Sequence, residues 1–168
     1  MNEKKIIILL VLSTIAILFG AVFLMSKSTA TVAGVVSSEN AKMEVKDPTS
    51  FDWGTIQMEK GNVEKAFTLK SVGTESLKIF NVKTSCHCTI ARVVIDKEES
   101  PNFGMSGISS YVGEVAPGKE AKLIVVFDPQ YHGPQGVGPI NRFVSIETND
   151  KGNSKVTFTL TGTVVKKE

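Results

Sequence analysis

From residue 41 onward, apolar and polar residues alternate in short runs. Glu64-Lys65-Ala66-Phe67-Thr68-Leu69-Lys70 sets Lys65, Phe67 and Leu69 on one face and Ala66, Thr68 and Lys70 on the other. That period of two is the signature of a strand. The same alternation, or a β-branched and aromatic composition, predicts strands over residues 41–46, 51–56, 64–70, 77–82, 90–95, 121–127, 142–148 and 155–165. Turn residues punctuate them: Asp47-Pro48-Thr49-Ser50, Gly61-Asn62, Pro117-Gly118 and Asn149-Asp150-Lys151-Gly152-Asn153. Seven to nine short strands, with no convincing soluble helix, predict an all-β domain over residues 41–168, built as an antiparallel β-sandwich.

Two stretches interrupt the alternation. Residues 96–110 have no clear period and hold Pro101, Phe103, Gly104, Met105 and Gly107; they are expected to form a long irregular excursion. Residues 128–139 carry three prolines and three glycines and are expected to be irregular throughout. Trp53, the only tryptophan, stands in a predicted strand and is expected to anchor the core or its rim.

The N-terminus has a different pattern. Residues 6–25 form a run of twenty without a charge. As a helix this run would span about 30 Å, the thickness of a bilayer core. Lys4 and Lys5 precede it, so residues 1–5 are expected in the cytoplasm and the β-domain outside the membrane. The run is longer than the apolar core of a cleaved signal peptide, which favours a transmembrane signal anchor. Thr31-Val32-Ala33 resembles a small-residue cleavage site, and cleavage there would make the protein secreted. No cysteine stands where a lipid anchor would need one. Residues 26–40, rich in Ser, Thr, Ala, Val and Gly, read as a linker.

Charge narrows the function classes. The formal net charge is +2, and Lys4, Lys5, Lys27 and Glu3 supply all of it. The neutral remainder offers no clustered basic face, so nucleic acid is not an expected partner. The expected partners are the membrane, through residues 6–25, and an envelope protein.

Candidate chemistry concentrates in Thr84-Ser85-Cys86-His87-Cys88-Thr89, which holds both cysteines and one of the two histidines. Outside the cytoplasm a disulfide persists. Residues i and i+2 of an extended strand lie near the upper limit of the Cα separation for a bridge, so a Cys86–Cys88 bond requires a local bend. A second reading is a soft-metal site. Two thiolates one residue apart, with imidazole and thioether, suit Cu(I); His87, His132 and Met105 are the further candidate ligands, the latter two from the irregular loops. Zinc fits less well, because the spacing matches no standard zinc module. The plain alternative is an inert thiol pair, with Met105 as core filler and His132 as a turn residue. A strand neighbour such as His87 points away from the thiols, and no phosphate loop, carboxylate pair or serine elbow is visible. No enzymatic activity is therefore expected.

Five motifs carry a resemblance. Phe51-Asp52-Trp53-Gly54-Thr55-Ile56, Ser85-Cys86-His87-Cys88-Thr89, Ala116-Pro117-Gly118-Lys119, Phe127-Asp128-Pro129 and Thr148-Asn149-Asp150 occur in that order. Together, over roughly Ala41 to Val165, they resemble the bacterial domain of unknown function 1573 family, whose members are similar to major-sperm-protein and ciliary ASH domains. The resemblance implies an immunoglobulin-like, extracytoplasmic, membrane-tethered or secreted β-domain without established catalytic residues. The antibody-type Cys…Trp…Cys spacing is absent, since cysteines one residue apart cannot bridge two sheets. The family pattern reads Ser-Cys-Gly-Cys-Thr; His87 replaces its glycine and adds a possible ligand. The functional expectation is a binding or structural module, with copper bound at residues 86–88; the alternative is a redox-active protein using Cys86 and Cys88.

Overall fold

The computed structural model describes residues 12–14, 34–106 and 109–166. Gly34–Glu168 is one compact unit, and Met1–Ala33 is another. In the latter, residues 12–14 are helical. Among the described residues, no helix is long and apolar enough to cross a membrane. The expected n-region, nearly all of the expected anchor and the first part of the expected linker lie outside the described residues.

The large unit is all-β. One sheet has the order β1 (Met43–Val45), β3 (Val63–Ser71), β8 (Glu120–Phe127), β5 (Thr89–Ile95) and β6 (Glu98–Glu99). The other has the order β2 (Ser50–Gln57), β10 (Lys155–Val165), β9 (Gly138–Thr148), β4 (Leu77–Thr84) and β7 (Val112–Val115). Alternation selects what each strand buries. Phe67 and Leu69 of β3 and Leu123 and Val125 of β8 point inward from one sheet; Phe158 and Leu160 of β10 and Val144 and Ile146 of β9 do so from the other. The Phe67 and Phe158 rings meet between the sheets at 4.6 Å. Such a sandwich buries two inner faces that would each otherwise lie in water.

Three expectations need correction. The sheets are not wholly antiparallel: β10 runs parallel to β2, with Leu160 opposite Phe51. A parallel pair needs a long connection, and nearly the whole domain separates these two strands. Residues 96–110 are not irregular throughout. Asp96 (φ 48°) and Lys97 (φ 77°) form a two-residue turn between β5 and β6, and Phe103 bridges to Ala91 and is buried. Pro139 is strand, not loop. It pairs with Thr163 of β10 where β4 does not yet flank β9, so its missing N–H leaves no ladder bond broken.

The motifs at the far end are scaffold. Asn149 accepts from the Lys78 N–H at 2.8 Å and donates Nδ2–H to the Ser76 carbonyl at 3.1 Å. Asp150 is fully buried and accepts from the Met43 and Gly152 N–H groups and from Asn153 Nδ2. Ser38 bridges to Asp150, so pairing begins ahead of Ala41. Gly54 (φ +66°) accommodates the register shift in the β2–β10 pair, where its N–H bonds to Asp52 Oδ1.

Candidate metal and redox site

Residues 85–88 cross from β4 in one sheet to β5 in the other. The crossing is tight because Thr84 Oγ1–H spans it, reaching the carbonyls of Cys86 and Thr89 at 3.0 and 2.9 Å. The Thr89 N–H closes the turn onto the Cys86 carbonyl at 3.2 Å. Phe143 of β9 fixes its outer side: its carbonyl accepts the Ser85 N–H, and its N–H bonds to Ser85 Oγ. This bend brings the Cα atoms of Cys86 and Cys88 to 5.2 Å, within disulfide reach, and the two are bonded.

The two sulfurs have different surroundings. Cys88 is 2% exposed and lies in a small apolar cluster with Ile56, Met58, Phe127, Ile140 and Val164. Cys86 is half-buried against the same cluster. Cys86 Sγ accepts the Cys88 N–H at 3.2 Å and lies 3.6 Å from His132 Nε2. Cys88 Sγ accepts Arg142 Nε–H at 3.2 Å and has Thr89 Oγ1 at 3.7 Å.

His132 arrives from the proline- and glycine-rich stretch. The Asp128 N–H bonds to the Cys88 carbonyl at 2.9 Å, and Gln130 Nε2 donates to the Met58 carbonyl at 3.0 Å. His132 then precedes a single 3-10 turn, Gly133–Gly136. The ligand atoms of Cys86, Cys88 and His132 all lie within 4.8 Å of one another. The other two sequence candidates stand differently. His87 is exposed and outside this group. Met105 is 45% exposed, next to Gly104, whose carbonyl accepts the Thr84 N–H.

Three residues at this end were not singled out as site residues by sequence. Arg142 reads in sequence as one strand residue among many. Its guanidinium lies over the Phe127 ring at 5.5 Å and also donates to the Asn141 carbonyl. Burial pulls its pKa below the ordinary arginine value. Among the described residues it has no ion pair with a carboxylate. Met58 is a buried thioether in the same cluster as both cysteines, and a Cβ on Gly136 would touch both its methyl and His132 Cβ. Trp53 fulfils its expected anchoring role by stacking on Phe127 at 5.9 Å; its buried Nε1–H has no hydrogen-bond partner among the described residues.

Comparison with known proteins gives the fold and a family segment. A protein of unknown function from Porphyromonas gingivalis W83 is similar at 22% identity and TM-score 0.56, over 77% of this chain and 50% of that one. This chain therefore spans half the length of that protein. A family 123 glycoside hydrolase from Clostridium perfringens is similar at 9% identity and TM-score 0.51, over 76% of this chain and 27% of that one. The ASH / PapD-like domain 7 of human CEP192 is similar at 18% identity and TM-score 0.49, over 84% of this chain and 98% of that one. No curated protein sequence matches. The first two of the five motifs fall within residues 43–102, and it is this segment that matches the family described as "Protein of unknown function (DUF1573)".

Proposed function

We propose that the domain is a non-enzymatic binding module of the cell envelope, held outside the membrane by residues 6–25. Its working site is the end of the sandwich that carries Cys86 and Cys88. In the dithiol state the two sulfurs and the His132 imidazole hold one soft cation, Cu(I) in preference to Zn2+. The reading is supported by one observation above all: three donors of the right chemistry lie within 4.8 Å, brought from two separate loops. Thiolate and imidazole suit a soft monovalent ion, whereas structural zinc ordinarily takes four ligands. Loading requires the disulfide to be reduced first, two external thiols supplying the two electrons and two protons and leaving joined as their own disulfide. The protons of the Cys86 and Cys88 thiols then leave as the metal binds.

The test is anaerobic Cu(I) titration of the reduced protein against a competing chelator, with Cys86→Ser and His132→Ala alongside. One tight equivalent, lost in Cys86→Ser and weakened in His132→Ala, is expected. Binding unaffected by His132→Ala removes that residue from the site. Absence of tight binding by the reduced wild type sinks the copper reading.

The second reading is a thiol–disulfide couple without metal, and the bonded state of Cys86 and Cys88 favours it. In that case the protein exchanges disulfides with envelope thiols. Equilibration with dithiothreitol and glutathione, read by alkylation and mass, tests it directly.

A further inference from the structure

Resting on that second reading, we infer that the disulfide opens in one direction. An incoming thiolate attacks Cys86 Sγ, and Cys88 Sγ is the leaving group, received by Arg142. Two independent features of the site lead here.

The first is access. Displacement at sulfur needs approach to the attacked atom from the side opposite the breaking bond. Cys88 is 2% exposed and walled by Ile56, Met58, Phe127, Ile140 and Val164. Cys86 is half-buried, in a loop whose neighbours Ser85 and His87 are exposed. A small thiolate, or a cysteine on a protein partner, reaches Cys86 without displacing the core.

The second is charge. The electron pair of the broken S–S bond must settle on the departing sulfur. Arg142 Nε–H already points at Cys88 Sγ from 3.2 Å, and no carboxylate pairs with the guanidinium among the described residues. A half-buried guanidinium without a counterion gains one when Cys88 becomes a thiolate. Cys86 Sγ has the Cys88 N–H and the His132 ring as neighbours, and among the described residues no Lys or Arg is bonded to it.

The step balances. The thiolate R–S⁻ forms a new bond to Cys86 Sγ, the Cys86–Cys88 bond breaks, and Cys88 leaves as thiolate. A second R–S⁻ then attacks the sulfur of the bound R group. This releases R–S–S–R and a Cys86 thiolate; two thiols are oxidised and one protein disulfide is reduced. In reverse, the Cys88 thiolate attacks Cys86 Sγ of the mixed disulfide and expels R–S⁻. Cys86 is thus the sulfur that bonds to partners, and Cys88 is the one that resolves the adduct.

The experiment treats the oxidised full chain with a limiting amount of reduced glutathione. The reaction is quenched in acid, free thiols are alkylated under acidic conditions, and the peptide containing residues 84–92 is fragmented. Glutathione on Cys86 and alkyl on Cys88 is the expected result. Glutathione chiefly on Cys88, or shared evenly, overturns the inference while leaving the redox reading intact. Arg142→Gln is expected to slow opening by roughly 10- to 100-fold, the loss associated with one charge-assisted hydrogen bond. Arg142→Lys should recover part of that rate. An unchanged rate in folded Arg142→Gln removes Arg142 from the step. Failure of excess dithiothreitol to open the bond in the folded protein overturns the inference and the redox reading together.

Discussion

His132 Nε2 stands 3.6 Å from Cys86 Sγ, although 46 residues separate them in the chain. The contact follows from backbone bonding rather than from any direct attachment between the two side chains. The Asp128 N–H is bonded to the Cys88 carbonyl, Gln130 to the Met58 carbonyl, and the Gly133 N–H to the Gln130 carbonyl, so the turn that carries His132 is held on both sides. The disulfide end is therefore a preformed cluster supported by the sandwich, and its chemistry should be separable from its stability.

That separation is the first prediction. A bridge between residues two apart constrains the unfolded chain over a very short loop. The chain-entropy relation gives less than about 2 kcal/mol for such a closure. Reduction should leave the domain folded and lower its unfolding free energy by no more than that. Urea denaturation with and without dithiothreitol measures it. Unfolding on reduction in the absence of urea would show that the loop supports the core, and it would remove the dithiol state that metal binding needs.

Asp150 sets a pH dependence at the other end. Burial alone would raise its carboxyl pKa. Hydrogen bonds from Asn153, Met43 and Gly152, together with the charge of Lys42, outweigh burial and hold it below the usual aspartate value. The folded pKa is thus depressed relative to the unfolded one. Its contribution is full above the unfolded aspartate value near 4 and is lost as the pH falls through the folded pKa. Asp150→Asn should destabilise the domain at pH 7 by about 1.5–3 kcal/mol, the range for hydrogen bonds to a charged group. The variant should also show a flatter fall in stability with acid. An identical acid profile would assign that fall to other carboxylates.

Much of this architecture was legible from local pattern, and the remainder was not for identifiable reasons. Strand β10 is foretold over its whole length because alternation and β-branched residues continue to Val165. Strand β7 escapes notice because Val112-Gly113-Glu114-Val115 is short and contains a glycine; its pairing with β4 supplies what local propensity lacks. The parallel pairing of β2 with β10 is nonlocal and leaves no signal in either strand. At the site, chemistry marked out Cys86, Cys88 and His132 without their geometry. Arg142 was invisible as a site residue because its approach to Cys88 depends on how β9 lies against the 85–88 turn. Only a basic residue at an otherwise alternating strand position offered a hint.

Topology gives a third prediction. If residues 6–25 anchor the chain with the domain outside, protease added to intact cells should digest the β-domain and spare a small N-terminal fragment. Protection of the domain until lysis would refute the proposed orientation. Recovery of the domain in the medium, beginning near residue 34, would instead favour cleavage after Ala33.

The last prediction concerns which thioether would belong to the proposed copper site. The sequence offers Met105 as a candidate, because it stands in an irregular stretch able to fold over one end of the sandwich. Met105 is 45% exposed, whereas Met58 is buried with Cys88 and packs in the one cluster that Cys86 also touches. Its methyl lies on the His132 side, next to Gly136. A buried, polarisable sulfur that is already desolvated gives up less hydration and side-chain freedom on binding than an exposed one. With methionine methyls labelled with carbon-13, adding Cu(I) to the reduced protein should shift the Met58 methyl resonance strongly and leave Met105 unmoved. Met58→Leu conserves volume and should cost less than about 1.5 kcal/mol of stability while weakening Cu(I) affinity; Met105→Leu should change neither appreciably. A shift confined to Met105 would favour the sequence-based ligand and show that its loop closes over the site. Shifts in neither methyl would leave a three-donor centre of Cys86, Cys88 and His132.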